Sequence, residues 1–218
     1  LDAVTIETGP RPEWTVIWLH GLGADGHDFE PIVPALVGAD WPSMRFVFPH
    51  APIRPVTING GMRMRAWYDI TALDLDRTQD ESGIRESRSL IGGLISSERD
   101  RGVAADRIFL AGFSQGGAIA LATGLTHAER LAGIVVLSAY VPIAEVLDRE
   151  RRIEPERLPI FAAHGTADPV VPIALGEASR RWLSARGYPV EWRTYPMQHA
   201  VCPEQVADLR EWMASRLS

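Results

Sequence analysis

The chain has 218 residues, of which 46% are hydrophobic, and its 22 basic and 28 acidic side chains leave a formal charge of -6. That length suits one α/β domain and would cramp two independent cores, while the acidic balance carries no basic footprint for nucleic acid. No apolar segment approaches the roughly 20 residues that span a bilayer, and a single cysteine, Cys202, excludes an intrachain disulfide and a thiolate metal cluster.

The N-terminus lacks the basic-then-apolar order of a signal peptide. A cytoplasmic location with neutral partners is therefore expected, and the start at Leu1 leaves room for a short trimmed leader.

In chain order, Val4 to Glu7 reads as a short edge strand and Trp14 to Leu19 as a central buried one. The latter runs into His20-Gly21-Leu22-Gly23, a turn where backbone N–H groups approach a ligand closely, and the Leu22 amide is the one assigned to an oxyanion. His20 reads as a histidine that shapes this turn rather than one that transfers protons. Asp25 or Asp28 is expected to cap a helix ending near Leu36, since Phe29, Ile32, Val33 and Leu36 recur at helical spacing.

Arg45 to Phe48 is the next strand. From Ile53 to about Glu81 periodicity lapses into Pro, Gly, Met and charge, which predicts an irregular, lid-like insert forming one wall of a site. Met62, Met64, Trp67 and Tyr68 would give that wall an adaptable apolar surface; Trp67 and Tyr68 serve equally well to pack the insert onto the body. Ser82 to Arg101 is an amphipathic helix expected beside the helix that follows Ser114.

Ile108 to Ala111 is a short apolar run that passes through Gly112-Phe113-Ser114-Gln115-Gly116 into a run of helical character. A serine at the centre of G-x-S-x-G between strand and helix is a nucleophile elbow, with the Gln115 amide at the helix start facing the oxyanion. Leu131 to Ala139 and Pro159 to Ala163 are further strands, Ile173 to Arg186 is a helix, Val190 to Tyr195 is the last strand and Pro203 to Leu217 the last helix. This alternation predicts a doubly wound, mostly parallel sheet with its site at the strand C-termini, near Tyr140 and Val141.

A serine hydroxyl needs an imidazole to take its proton and a carboxylate to orient the imidazole. Asp168 follows the 159–163 strand and His199 follows the 190–195 strand, the chain order such a sheet requires. His164 and Asp148 are the rivals: the first resembles a turn histidine, the second lies in a charged, solvated run. No paired-histidine spacing supports a metal site.

The segments LHGLGADGHDFEP, FPHAPIRPVTINGG, WYDI, AGFSQGGA, HGTADPVVP and YPMQHAVCPE resemble the phospholipase/carboxylesterase family of α/β-hydrolases, which includes acyl-protein thioesterases. The resemblance covers the chain from about Trp14 to the last helix. It implies a single α/β-hydrolase domain over residues 1–218 with the lid-like insert at about 53–81, a Ser114, Asp168 and His199 triad, and an oxyanion hole of the Leu22 and Gln115 amides. An acyl groove is expected along Gly23, Met64, Trp67, Tyr140, Val141 and Val170.

No cofactor, nucleic acid or stable membrane insertion is implied, and some members form a homodimer that partly covers the site. Arg63 and Arg65 depart from the small or apolar residues common before the Trp of the insert; they either cap the groove or, the favoured reading, face solvent. The expected activity is a serine carboxylesterase on short- to medium-chain esters and possible thioesters. An acyl-protein thioesterase or lysophospholipase on longer chains is the alternative, and a non-catalytic hydrolase-fold binding module is a remote one.

Overall fold

The structure is a computed structural model that describes residues 1–71, 79–152 and 154–217. Among these residues nine strands are interspersed with helices: β1 Ala3–Glu7, β2 Trp14–Leu19, β3 Met44–Pro49, β4 Ile53–Val56, β5 Met62–Arg65, β6 Ile108–Phe113, β7 Gly133–Leu137, β8 Ile160–Gly165 and β9 Val190–Tyr195. The helices are α1 Val33–Leu36, α2 Glu81–Asp100, α3 Gln115–Thr126, α4 Ala144–Glu150, α5 Ile173–Ser184 and α6 Pro203–Ala214. Seven strands form one sheet in the order β1-β3-β2-β6-β7-β8-β9, in which only the β1–β3 pairing is antiparallel. This is the α/β-hydrolase fold.

The period-two alternation of the buried strands divides the core in two. Ile17, Leu19, Leu110, Ile134 and Val136 face one layer, where they pack with Ile84, Ile91 and Ile95 of α2 and the buried face of α3. Val16, Trp18, Phe109, Val135 and Phe161 face the other, against Val33 and Leu36 of α1 and Leu209, Trp212 and Met213 of α6. Because β2 and β7 are buried on both sides, they read as unbroken apolar runs rather than as alternating ones.

Three local differences from the sequence reading have physical reasons. The helix expected to end near Leu36 is a 3-10 turn over Glu30–Ile32 followed by one α-turn, because Pro31 and Pro34 remove backbone donors. Asp25 accepts from the His27 amide at 2.8 Å, closing a turn rather than capping a helix. The insert carries an antiparallel hairpin, β4 with β5, reversed through Gly60 and Gly61 at φ 66° and 78°. Pro55 and the arginines of β5 hide its alternation. Residues 72–78 of the insert lie outside the described residues.

The charged run holding Asp148 includes α4, whose Val146 and Leu147 are buried while Asp148 takes a two-pronged ion pair from Arg186 at 2.8 and 3.0 Å.

Candidate active site

Ser114 sits between β6 and α3 at φ 55° and ψ -123°, a conformation that a non-glycine residue holds only where its surroundings fix it. Two glycines permit the turn. A Cβ on Gly112 would lie 2.3 Å from the Gly116 carbonyl oxygen, and one on Gly116 would lie 2.3 Å from the Leu19 carbonyl oxygen. The Ser114 N–H donates to the Leu137 carbonyl at 2.8 Å, which registers the elbow against β7.

Asp168 and His199 come from the loops after β8 and β9, which are tied together by Ala167 N–H to Met197 O at 3.1 Å. One carboxylate oxygen of Asp168 accepts from the Val170 and Val171 amides, each at 2.9 Å, and the other meets His199 Nδ1 at 2.7 Å. The Asp168 side chain has no exposed surface. Fixed by two main-chain donors, it holds the imidazole with Nδ1 toward the carboxylate and leaves Nε2 for a proton on the other side. The imidazole packs on Phe113, the residue before Ser114, with ring centroids 4.6 Å apart.

The rivals have other work. His164 is fully buried and its Nε2 donates to the Val171 carbonyl at 2.8 Å, bracing the loop that carries Asp168; its nearest approach to the Asp168 carboxylate is 3.6 Å. His20 is 1% exposed, its Nδ1 donates to the Gly21 carbonyl at 2.7 Å and its Nε2 accepts from the Ala51 amide at 3.1 Å. Burial lowers its pKa, so the neutral ring that this donor–acceptor pattern needs is favoured.

The amides of Leu22 and Gln115 donate to no protein carbonyl among the described residues. The Leu22 loop is held from the hairpin, where Arg65 O accepts from Gly23 N–H at 2.9 Å with Gly23 at φ 78°. The Gln115 side chain is 2% exposed; its Oε1 accepts from the Trp67 amide at 2.7 Å and its Nε2 donates to the Tyr68 carbonyl at 2.8 Å. One residue thus joins the turn after the serine to the wall built by the insert.

A cavity of about 240 Å³ opens on Ser114, lined by Leu22, Gln115, Tyr68, Tyr140 and Val170, among others. Ile58, Ile70, Val171, Pro172 and Leu175 extend its apolar surface, and Asn59 adds a polar side chain. Of the expected groove residues, Tyr140 and Val170 line it, while Gly23, Met64, Trp67 and Val141 are not among its lining residues. Trp67 is fully buried and its indole N–H donates to the His20 carbonyl at 2.9 Å, so it packs the insert onto the body. Arg65 turns inward to the Ala51 carbonyl at 2.9 Å, whereas Arg63 is exposed and reaches the Ile53 carbonyl.

A larger cavity, about 660 Å³, lies between the 31–41 segment and α6, includes Cys202 and shares no lining residue with the first. Ile58 and Ile70 escaped the sequence reading because each is a lone apolar residue in the mixed insert, whose placement as a wall was the available signal; Leu175 escaped it because it ends the apolar run Val170 to Leu175, in which nothing local marks the residues that face the cavity.

A family model described as phospholipase/carboxylesterase matches residues 2–217. Acyl-protein thioesterase 1 of Neurospora crassa is 42% identical over 218 aligned residues, covering 93% of this chain and 86% of its own. Among solved structures, Arabidopsis thaliana SOBER1 superposes with a TM-score of 0.89 at 31% identity, covering 94% of this chain and 99% of its own. Acyl-protein thioesterase 2 of Zea mays superposes with a TM-score of 0.86 at 28% identity over the full length of both chains. The chain belongs to the phospholipase/carboxylesterase family and is an ester hydrolase on the α/β-hydrolase fold.

Proposed function

We propose that the protein is a serine acyl thioesterase that releases acyl groups from S-acylated cysteines, with Ser114, His199 and Asp168 as its triad. His199 takes the Ser114 proton as the serine oxygen bonds to the acyl carbon, and the Leu22 and Gln115 amides receive the resulting oxyanion. The C–S bond then breaks, His199 passes its proton to the departing thiolate, and water hydrolyses the acyl-enzyme by the same proton path.

The observation that carries this reading is the 2.7 Å contact of Asp168 with His199, whose ring lies on the residue preceding a left-handed Ser114. The thioester preference is supported by the relatives named acyl-protein thioesterase 1, which reverse the order of preference reached from sequence. Among the described residues no helix is long and apolar enough to cross a membrane.

A second reading, esters of short to medium chains, is favoured by the cavity: 240 Å³ holds roughly eight groups of the volume of a water molecule. Turnover of S-acyl peptides and p-nitrophenyl esters of matched chain lengths separates the two. The thioesterase reading requires kcat/KM for S-acyl peptides, corrected for intrinsic reactivity, to exceed that for the oxygen esters and to vanish in Ser114→Ala. Higher values for short oxygen esters favour the second reading, and undiminished turnover in Ser114→Ala contradicts both.

A further inference from the structure

Two tyrosines meet inside the cavity that opens on Ser114. Tyr68 follows β5 and Tyr140 follows β7; both line the cavity, and their phenolic oxygens are 2.8 Å apart. Tyr68 is 2% exposed. Burial pushes the Tyr68 phenol well above its ordinary pKa and raises that of Tyr140, so both keep their protons across the neutral range.

Two neutral phenols own two O–H hydrogens, and a single oxygen–oxygen contact uses one of them. Whichever ring donates, the hydrogen of the other has no protein acceptor among the described residues. The neighbouring Gln115 amide is committed to the backbone of Trp67 and Tyr68; of the other lining side chains only Asn59, whose Nδ2 donates to Met64 Sδ at 3.3 Å, and Ser114 are polar, and neither is bonded to a phenol. Solvent satisfies such a donor in an open cavity. An acyl chain that fills the cavity removes that solvent, and an all-methylene chain returns nothing in its place.

We infer that the Tyr68–Tyr140 pair reads an oxygen in the acyl chain, so that the cavity selects chains carrying an ether, hydroxyl or keto acceptor over all-methylene chains of the same length. The inference rests on the reading above, in which Ser114 receives the acyl group and the chain lies in this cavity. Sites that hydrogen-bond a ligand discriminate by leaving their own buried group unpaired when the ligand lacks the partner.

Counting hydrogens separates this role from a structural one. Tyr68→Phe leaves one phenol with its hydrogen unspent, and Tyr140→Phe does the same, so each single variant still offers one donor. The double variant offers none. A clasp that merely tied the wall to the body through the phenol contact would fail at the first substitution.

The test is a scan of p-nitrophenyl octanoate and its oxa analogues, in which an ether oxygen replaces each methylene beyond the α-carbon in turn, with rates divided by those of alkaline hydrolysis. Wild type should favour one position, or two adjacent ones, by about five- to tenfold in kcat/KM over the all-carbon ester. Each single variant should keep that advantage and the double variant should lose it. A flat wild-type profile, an advantage that survives in the double variant, or its loss in either single variant overturns the inference.

Calorimetric binding of the corresponding methyl esters to Ser114→Ala protein, with and without the two Phe substitutions, gives the same profile without turnover. A wild type that hydrolyses none of these esters would therefore contradict the role of Ser114, while the binding profile would still decide that of the tyrosines.

Discussion

The two ends of the central sheet are built on opposite terms. At the N-terminal ends of β2 and β3 polar groups are matched: Thr15 donates to Glu98 at 2.8 Å, and Arg45 binds both Glu98 at 3.1 Å and Glu7 at 2.6 Å. Arg107 with Glu13 and Arg130 with Asp106 continue the pattern at the rim. At the C-terminal ends lie Ser114, Ser138 and Ile143 with positive φ, and the amides of Leu22 and Gln115, which have no carbonyl partner among the described residues. One end holds the fold by satisfying its buried charges; the other keeps strain and free donors where a ligand arrives.

The contrast breaks most visibly at Asp168. Asp168→Asn keeps an oxygen for the Val170 and Val171 amides but leaves His199 without an anionic partner, so kcat should fall roughly 10⁴-fold with little change in melting temperature. Stopped-flow ester hydrolysis alongside calorimetry checks both halves.

Glu98→Ala should do the reverse. Its side chain is 6% exposed and bound by Arg45 and Thr15, so removing it costs about 3 kcal/mol, or about 6–12 °C in Tm for a chain of this size. kcat per folded molecule should be unchanged, and a parallel loss of kcat would erase the distinction between the two ends.

Gln115→Met preserves the backbone amide while removing both side-chain bonds to the insert. Two buried main-chain groups then lack partners, at about 1–3 kcal/mol each, and kcat/KM should fall about tenfold as the cavity wall loosens. Hydrogen exchange at the Trp67 amide reports the loosening directly.

The smallest effect concerns pH. Burial lowers the pKa of His20 below its ordinary 6.5, so the unfolded chain binds the proton more readily. Stability from the neutral ring is present above 6.5 and is lost as pH falls from there through the folded value. The drop in Tm between about pH 7 and pH 5 should shrink in His20→Gln, whose amide can donate to Gly21 and accept from Ala51. An equal drop in that variant would assign the acid sensitivity elsewhere, with His127, also lowered by burial, the first alternative.

Much of this was readable in the chain because short-range rules governed it. The apolar runs of β2 and β7 and the alternation of strands and helices fixed the sheet, and β9 matched its expected bounds, Val190 to Tyr195, residue for residue. Asp168 and His199 were placed by their loops, and the structure joins them at 2.7 Å. The hairpin of the insert was missed because Pro55, Arg63 and Arg65 break its pattern. Trp67 carried an open choice between groove and packing that only its burial and its bond to His20 decide. The Gln115 side chain was invisible for a different reason: its partners lie 47 and 48 residues away, and no local spacing encodes such a contact.

The central claim is that Ser114 is the nucleophile, and covalent labelling by a fluorophosphonate, read by intact mass and peptide mapping, tests it most directly. Wild type should take one adduct, on Ser114; His199→Ala should label far more slowly and Ser114→Ala not at all. An adduct on another residue, or equal labelling of Ser114→Ala, would contradict the account.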